Sequence, residues 1–221
     1  MASVKSAKRA RRKRVTSSEV VAAAIDIVDR HGVDALTIRA VADACGLSPM
    51  GVYRHVRDKD DLLDQVVDAV VTPSLENFDA TGSWDHQIIE LFRNARQLNL
   101  EHPGVAVLSV LRPTPVVGVA RFYSRVLAAL AQGGLTGTDA VHAFDTLLMF
   151  MFGSVLWEIP RPSTIRERLI AVAAHDEASA LIAERANELA HRDPTDYFEA
   201  GLATILAGLR AQHRGRRNRR N

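Results

Sequence analysis

Thr37-Ile38-Arg39-Ala40-Val41-Ala42-Asp43-Ala44-Cys45-Gly46-Leu47-Ser48-Pro49-Met50-Gly51-Val52-Tyr53-Arg54-His55-Val56 reads as two short helices joined by a glycine turn, a helix-turn-helix pattern. Thr37 suits the N-cap of the first helix. Ile38, Val41, Ala42 and Cys45 recur at i, i+3, i+4 and i+7, which aligns them in one buried stripe. Gly46 stands where a helix closes through left-handed backbone, and Leu47 can then drop into the core. Ser48-Pro49 restarts the chain, with serine as cap and proline at the first helical position. On the second helix, rotation of about 100° per residue puts Val52 and Val56 on one side and Met50, Gly51, Tyr53, Arg54 and Arg57 on the other. The valines anchor the helix. The opposite face offers a phenol, a guanidinium and, at Gly51, bare backbone, as a major-groove reader requires. A surface helix of an ordinary bundle would sort its residues the same way.

The flanking segments complete a small head. Thr16-Ser17-Ser18-Glu19 fits a capping box, and Val21, Ala24, Ile25 and Val28 follow at helical spacing to about His31-Gly32. After the reader, Asp58 caps a helix with a broad apolar face of Leu62, Leu63, Val66, Val67 and Val70, stopped at Pro73. Leu36-Thr37-Ile38-Arg39 through Gly46, Tyr53-Arg54-His55-Val56 and Asp58-Lys59-Asp60-Asp61-Leu62-Leu63 resemble the TetR family of transcriptional repressors, from about Ser18 to Val71. That resemblance implies an all-α fold: a three-helix helix-turn-helix head followed by a larger helical domain for ligand binding and dimerisation. It also implies that Arg39, Ser48, Met50, Gly51, Tyr53, Arg54, His55 and Lys59 lie at or near DNA, with Tyr53 and Lys59 mainly on phosphates. The helix from Asp58 is then the expected lever between ligand and DNA.

Composition fits such a protein. At 221 residues and 47% hydrophobic, the chain can bury a full core. The single Cys45 excludes an intramolecular disulfide and a cysteine metal cluster, suits a reducing cytoplasm, and on its buried stripe reads as a plain core thiol. The net charge of +2 hides a segregation of sign. Lys5, Lys8, Arg9, Arg11, Arg12, Lys13 and Arg14 form one basic end, and Arg210, Arg214, Arg216, Arg217, Arg219 and Arg220 the other. That leaves 15 basic against 26 acidic residues between them. The body should repel DNA, so attraction falls to the tails and the reader. The N-terminal run has no apolar segment behind it and reads as a DNA-contacting arm, not a secretory signal, with a merely solvated tail as the alternative. For the C-terminal run a solvated tail is at least as good a reading.

The second half reads as helices broken at His102-Pro103-Gly104, at Arg112-Pro113-Thr114-Pro115 and at Gly133-Gly134. A polar linker, Glu76 to Ser83, precedes them. Leu147-Leu148-Met149-Phe150-Met151-Phe152 is apolar all round, too short for the roughly 20 residues of a membrane span, and so expected to be buried. The last helix, Pro194 to about Gln212, carries small residues at Ala200, Gly201, Ala203, Ala207 and Gly208 beside Leu202, Ile205, Leu206 and Leu209, a composition for a helical dimer interface. The expected organisation is a disordered basic arm (1–15), the DNA-binding head (16–60), the effector and dimerisation domain (61–212) and a basic tail (213–221).

Trp84, His102-Pro103-Gly104, Arg112-Pro113, Gly133-Gly134-Leu135 and Gly153-Ser154-Val155-Leu156 further resemble the tetracycline repressor subgroup. That subgroup holds its drug-bound magnesium with a His four residues before the Arg-Pro pair and a Thr just before it. Here those places are Leu108 and Leu111, and Trp157 stands where an acidic residue is expected, with Glu158 one further on. Leucine cannot ligate a hard cation, so neither metal nor cofactor is expected. The substitutions point to an apolar effector pocket lined by Leu108, Leu111, Phe144, Leu148, Phe152 and Trp157, with Arg112 as charged handle and Asn94 or Thr146 as hydrogen-bond partners. Ordinary core is the alternative for each. The eight His residues are scattered, without triad, His-x-x-x-His or phosphate-loop spacing, so catalysis is not expected. The expectation is a ligand-responsive repressor, dimeric on a pseudo-palindromic operator, cytoplasmic and without a membrane partner. An effector-independent DNA-coating protein using its tails is the alternative.

Overall fold

The computed structural model describes residues 14–75, 78, 81–112, 115–158 and 193–220, with Glu167, Ala171 and Arg185 as isolated positions. The arm up to residue 13, and the parts of the expected linker at 76–77 and 79–80, lie outside the described residues. So do Pro113-Thr114 and the side chains of the expected tail from residue 213. Among the described residues the regular structure is helical throughout: α1 Ser17–His31, α2 Ile38–Cys45, α3 Pro49–Val52, α4 Lys59–Val71, α5 Trp84–Glu101, α6 Pro103–Leu111, α7 Val117–Gln132, α8 Thr138–Glu158 and α9 Pro194–Arg220.

Local chemistry sets the helix starts. Thr16 accepts from the Glu19 N–H while the Glu19 carboxylate takes the Thr16 N–H at 2.8 Å, a complete capping box. Thr37 accepts from Ala40, Ser48 from Gly51 and Asp58 from Asp61, each satisfying an amide that the helix leaves over. Gly46 closes α2 at φ 64°, and the Leu47 N–H reaches the Ala42 carbonyl at 2.8 Å. α4 ends at Val71, and Pro73 sits inside the single 3-10 turn Thr72–Leu75 that follows. α9 continues beyond the expected end at Gln212 as far as Arg220.

Two apolar cores result. The head core joins Val20, Ala24 and Val28 of α1 to Val41 and Ala42 of α2, Val52 and Val56 of the reader, and Leu62, Leu63 and Val66 of α4. α4 is therefore part of the head for most of its length, and a division at residue 60 falls inside its first turn. The body core gathers Ile88, Leu91 and Phe92 of α5, Phe122, Val126 and Leu130 of α7, Leu147 and Met151 of α8, and Phe198, Leu202 and Leu206 of α9. By length and composition α8 would pass for a membrane span, but Ala143, Leu147, Met151 and Val155 are buried inside the body. The run Leu147–Phe152 is not enclosed all round: Met149 is 73% exposed.

Cys45 is half-buried, and burial, with the Glu19 charge behind it, pushes its thiol above the ordinary range. Iodoacetamide at pH 8 is expected to label the folded protein more slowly than the urea-unfolded chain by at least tenfold. Equal rates by mass spectrometry would show that Cys45 is not protected.

Candidate DNA-reading head and effector cavity

α3 makes one regular turn, after which Arg54 N–H bonds to Gly51 and His55 N–H to Val52 (2.8 Å) in a tighter turn towards Arg57. Val52 and Val56 are buried below it. Above it, Met50 and Tyr53 are exposed by 69% and 47%, and Arg39, Ser48, Arg54 and Lys59 are exposed too. Gly51 is half-buried: a Cβ there would lie 3.2 Å from the Leu47 Cβ, so the residue packs on its own turn as well as leaving backbone accessible. His55 is also half-buried, its Nδ1 3.0 Å from the Ser17 hydroxyl, which ties the exit of the reader to the first turn of α1. Ser17 had no local signal in the sequence. Lys59 is flanked by aspartates that are engaged within the protein. Asp58 caps α4, Asp60 pairs with Arg112 at 3.2 Å, and Asp61 accepts from the Arg57 amide at 2.8 Å and its guanidinium at 3.2 Å. These contacts hold Asp61 below the usual carboxylate range, led by the Arg57 backbone bond.

A cavity of about 600 Å³ opens between α4, α5, α6, α7 and α8. Val67, Val70 and Val71 of α4, Leu98 of α5, Val119 and Phe122 of α7, and Leu148, Met151, Phe152 and Leu156 of α8 make it mainly apolar. Its polar groups are few. Asn99 and Ser109 donate to carbonyls of their own helices, Ala95 (2.7 Å) and Val105 (2.9 Å), which leaves the Ser109 hydroxyl as an acceptor and Asn99 with one N–H and its carbonyl oxygen. Burial, and then the charge of Asp145, raises the Tyr123 phenol, which stays protonated as a donor beside that carboxylate.

Of the expected lining, the structure brings Leu148 and Phe152 to this cavity and leaves the rest outside it. Leu108 points the other way on α6, into the head core with Val105. Leu111, at the end of α6, is 76% exposed, and Arg112 turns down to Asp60 and Asp64 of α4. Phe144 belongs to the body core, edge-on to Tyr123 at 4.7 Å. Trp157 lies at a separate cleft with Met149 and Tyr197. Asn94 is exposed, and the Thr146 hydroxyl bonds to the His142 carbonyl. Glu158 is taken by Arg96, whose Nη2 lies 2.7 Å from both carboxylate oxygens.

The cavity shares its walls with the elements that hold the head. Asp29 of α1 accepts from the amides of Gly104 (2.9 Å) and Val105 (3.3 Å) and lies 2.8 Å from His102 Nδ1, so a head carboxylate sits on the positive end of α6. Asp68 of α4 accepts from the Gly118 amide of α7 at 2.6 Å. Residues 20–66 match the family described as bacterial regulatory proteins, tetR family, and residues 78–213 match the tetracyclin repressor-like C-terminal domain. The chain belongs to the tetR family. An HTH-type transcriptional regulator of Saccharopolyspora erythraea is 31% identical over 205 residues, covering 89% of this chain and 85% of its own. The class A tetracycline repressor from transposon 1721 of Escherichia coli is 32% identical over 196 residues, covering 86% and 88%. Among solved structures, the TetR family protein ActR of Streptomyces coelicolor in complex with actinorhodin superposes with a TM-score of 0.76 at 28% identity, over 90% of this chain and 96% of that one. As a tetR family member the protein is a DNA-binding transcriptional regulator, and its curated relatives are regulators and not enzymes.

Proposed function

We propose that the protein is a ligand-responsive repressor that binds a pseudo-palindromic operator as a homodimer and is released by a small, largely apolar effector held between α4 and α8. One observation carries this: Val67, Val70 and Val71, which line the cavity, stand on the same helix whose Leu62, Leu63 and Val66 lie in the head core. A ligand that fits the cavity better in one position of α4 shifts the head with it, through differential affinity for the two states. Support for a small, largely apolar effector comes from the lining, and for ligand binding as such from ActR, which is seen in complex with actinorhodin. Support for the dimer comes from the exposed Met149 and Gly153 on α8 beside exposed Ala200, Ala203, Ala207 and Gly208 on α9, an apolar strip of small residues along two packed helices. Gly201 serves packing inside the subunit instead, directly under the Phe150 ring.

Selection of bound sequences from a random DNA pool tests the reading. Enrichment of a palindrome with half-sites one helical turn apart, about 34–36 Å, is expected, followed by release of that duplex when small, largely apolar compounds fill the cavity. A pool without enrichment would overturn it. On the selected operator, Arg54→Ala is expected to cost about 1–3 kcal/mol, as for a base contact. An equal loss on random DNA would make Arg54 a phosphate contact.

A further inference from the structure

α9 runs antiparallel to α5. The Arg96 guanidinium of α5 stacks on Phe198 at 4.8 Å, Arg93 grips Glu199 through two contacts of 2.6 Å, and further along α9 Arg210 pairs with Asp85 in the first turn of α5. The other end of α5 leads into His102 and Gly104, which dock on Asp29 of the head. Travel along α9 from Phe198 to Arg210 is therefore travel away from the head. At about 1.5 Å per residue, the span of α5 puts Arg210 roughly 25 Å from the junction of α1 and α6. The continuous helix to Arg220 adds about 15 Å in the same direction.

That extension lies largely beyond residue 213, where the match to the family's C-terminal domain ends. Residues 210–220 hold Arg210, Arg214, Arg216, Arg217, Arg219 and Arg220 and no Asp or Glu. Six arginines without a carboxylate within one short stretch make a dense positive charge, which attracts an anion. Residues 210–220 hold no Leu, Ile, Val, Met, Phe, Tyr or Trp. The extension thus lacks the apolar face that a lipid surface or protein groove would take, and the aromatics that would stack on unpaired bases. What remains is guanidinium chemistry for regularly spaced phosphates.

We propose that the end of α9 is a second binding site for duplex DNA, at the pole of the body opposite the head, so that one regulator bridges two duplexes. This rests on the head being the first DNA site. The acidic body between the two sites keeps a duplex from lying along it, and the distance keeps the tail off the DNA held by its own head.

The test uses full-length protein on a bead-bound duplex carrying the selected operator, with an unrelated fluorescent duplex in solution. Wild type is expected to capture the second duplex. Replacing Arg214, Arg216, Arg217, Arg219 and Arg220 by Gln is expected to cut capture at least tenfold while retention on the bead stays within twofold. Replacing the same five by Lys is expected to restore most of it. In free solution the Gln variant should show a shallower salt dependence, by about 0.9 in slope for each phosphate that it no longer neutralises. Undiminished capture by the Gln variant, or none by wild type held on the bead, overturns the proposal. So does capture abolished by poly-glutamate but not by an equal charge of competitor duplex, which would assign the site to an acidic protein. If Arg54→Ala stays on the bead and the Gln variant leaves it, the head reading is the one that fails.

Discussion

Arg96→Met is expected to destabilise the protein by about 3 kcal/mol, the lower end for stranding one member of a buried ion pair. Arg96 is 5% exposed and its guanidinium meets both Glu158 oxygens while covering the Phe198 ring, so the substitution leaves a carboxylate with no cation inside the body. The same environment predicts the rescue. Among the described residues Arg96 Nε is buried without an acceptor, so the pair does not recover its full desolvation cost. Arg96→Met combined with Glu158→Gln removes both charges, keeps the volume and should regain most of the stability. Urea unfolding at one fixed protein concentration measures both, because dimerisation adds to apparent stability. A single variant within 1 kcal/mol of wild type, or a double variant no better than the single, would show that the pair contributes little.

The head was legible because its determinants are local. Thr16, Thr37, Ser48 and Asp58 each cap an amide three residues on, and Gly46 meets a backbone need within its own turn. The pairs Arg96–Glu158, Ser17–His55 and Asp29–His102 join residues far apart in sequence and leave no periodic trace. The cavity was legible only in kind. α6 and the middle of α8 are apolar on every side, so no polar face fixes their rotation. One position on α6 separates Leu108, in the head core, from Ser109, at the cavity. On α8, Leu147 fills the core, Met151 lies between core and cavity, Leu148 and Phe152 line the cavity, and Met149 faces outward and forms a further part of the rim. The phase of such helices is decided by their neighbours.

Gly104→Ala is expected to separate the head from the body. A Cβ at this position would lie 2.2 Å from the Val28 carbonyl oxygen, 2.6 Å from its carbon and 2.8 Å from the Asp29 Cα. All three are backbone atoms in the last turns of α1 and cannot swing aside as a side chain would. α6 must therefore lift off α1, which stretches the Asp29 bonds to Gly104, Val105 and His102. Overpacking of about 1–3 kcal/mol adds to a weakened set of charge-assisted bonds worth about 1.5–3 kcal/mol. The expected total is on the order of 3 kcal/mol, a fall in Tm of about 6–12 °C for a chain this size. Gly104→Val should be worse, because a branched side chain meets the same wall. Calorimetry within 2 °C of wild type for both variants would mean that α6 is not seated so closely. The functional effect follows from where α6 lies. Its Ser109 and Val110 line the cavity while its first turn holds the head, so a lifted α6 passes on less of the effector's preference between states. At a temperature where the variant is folded, operator affinity should stay within a few fold of wild type while the effector concentration for release rises at least tenfold. Arg54→Ala should do the reverse, weakening the operator complex and leaving effector binding unchanged. A variant that weakens both ligands equally would mean that the contact between α1 and α6 supports the fold without coupling the two sites.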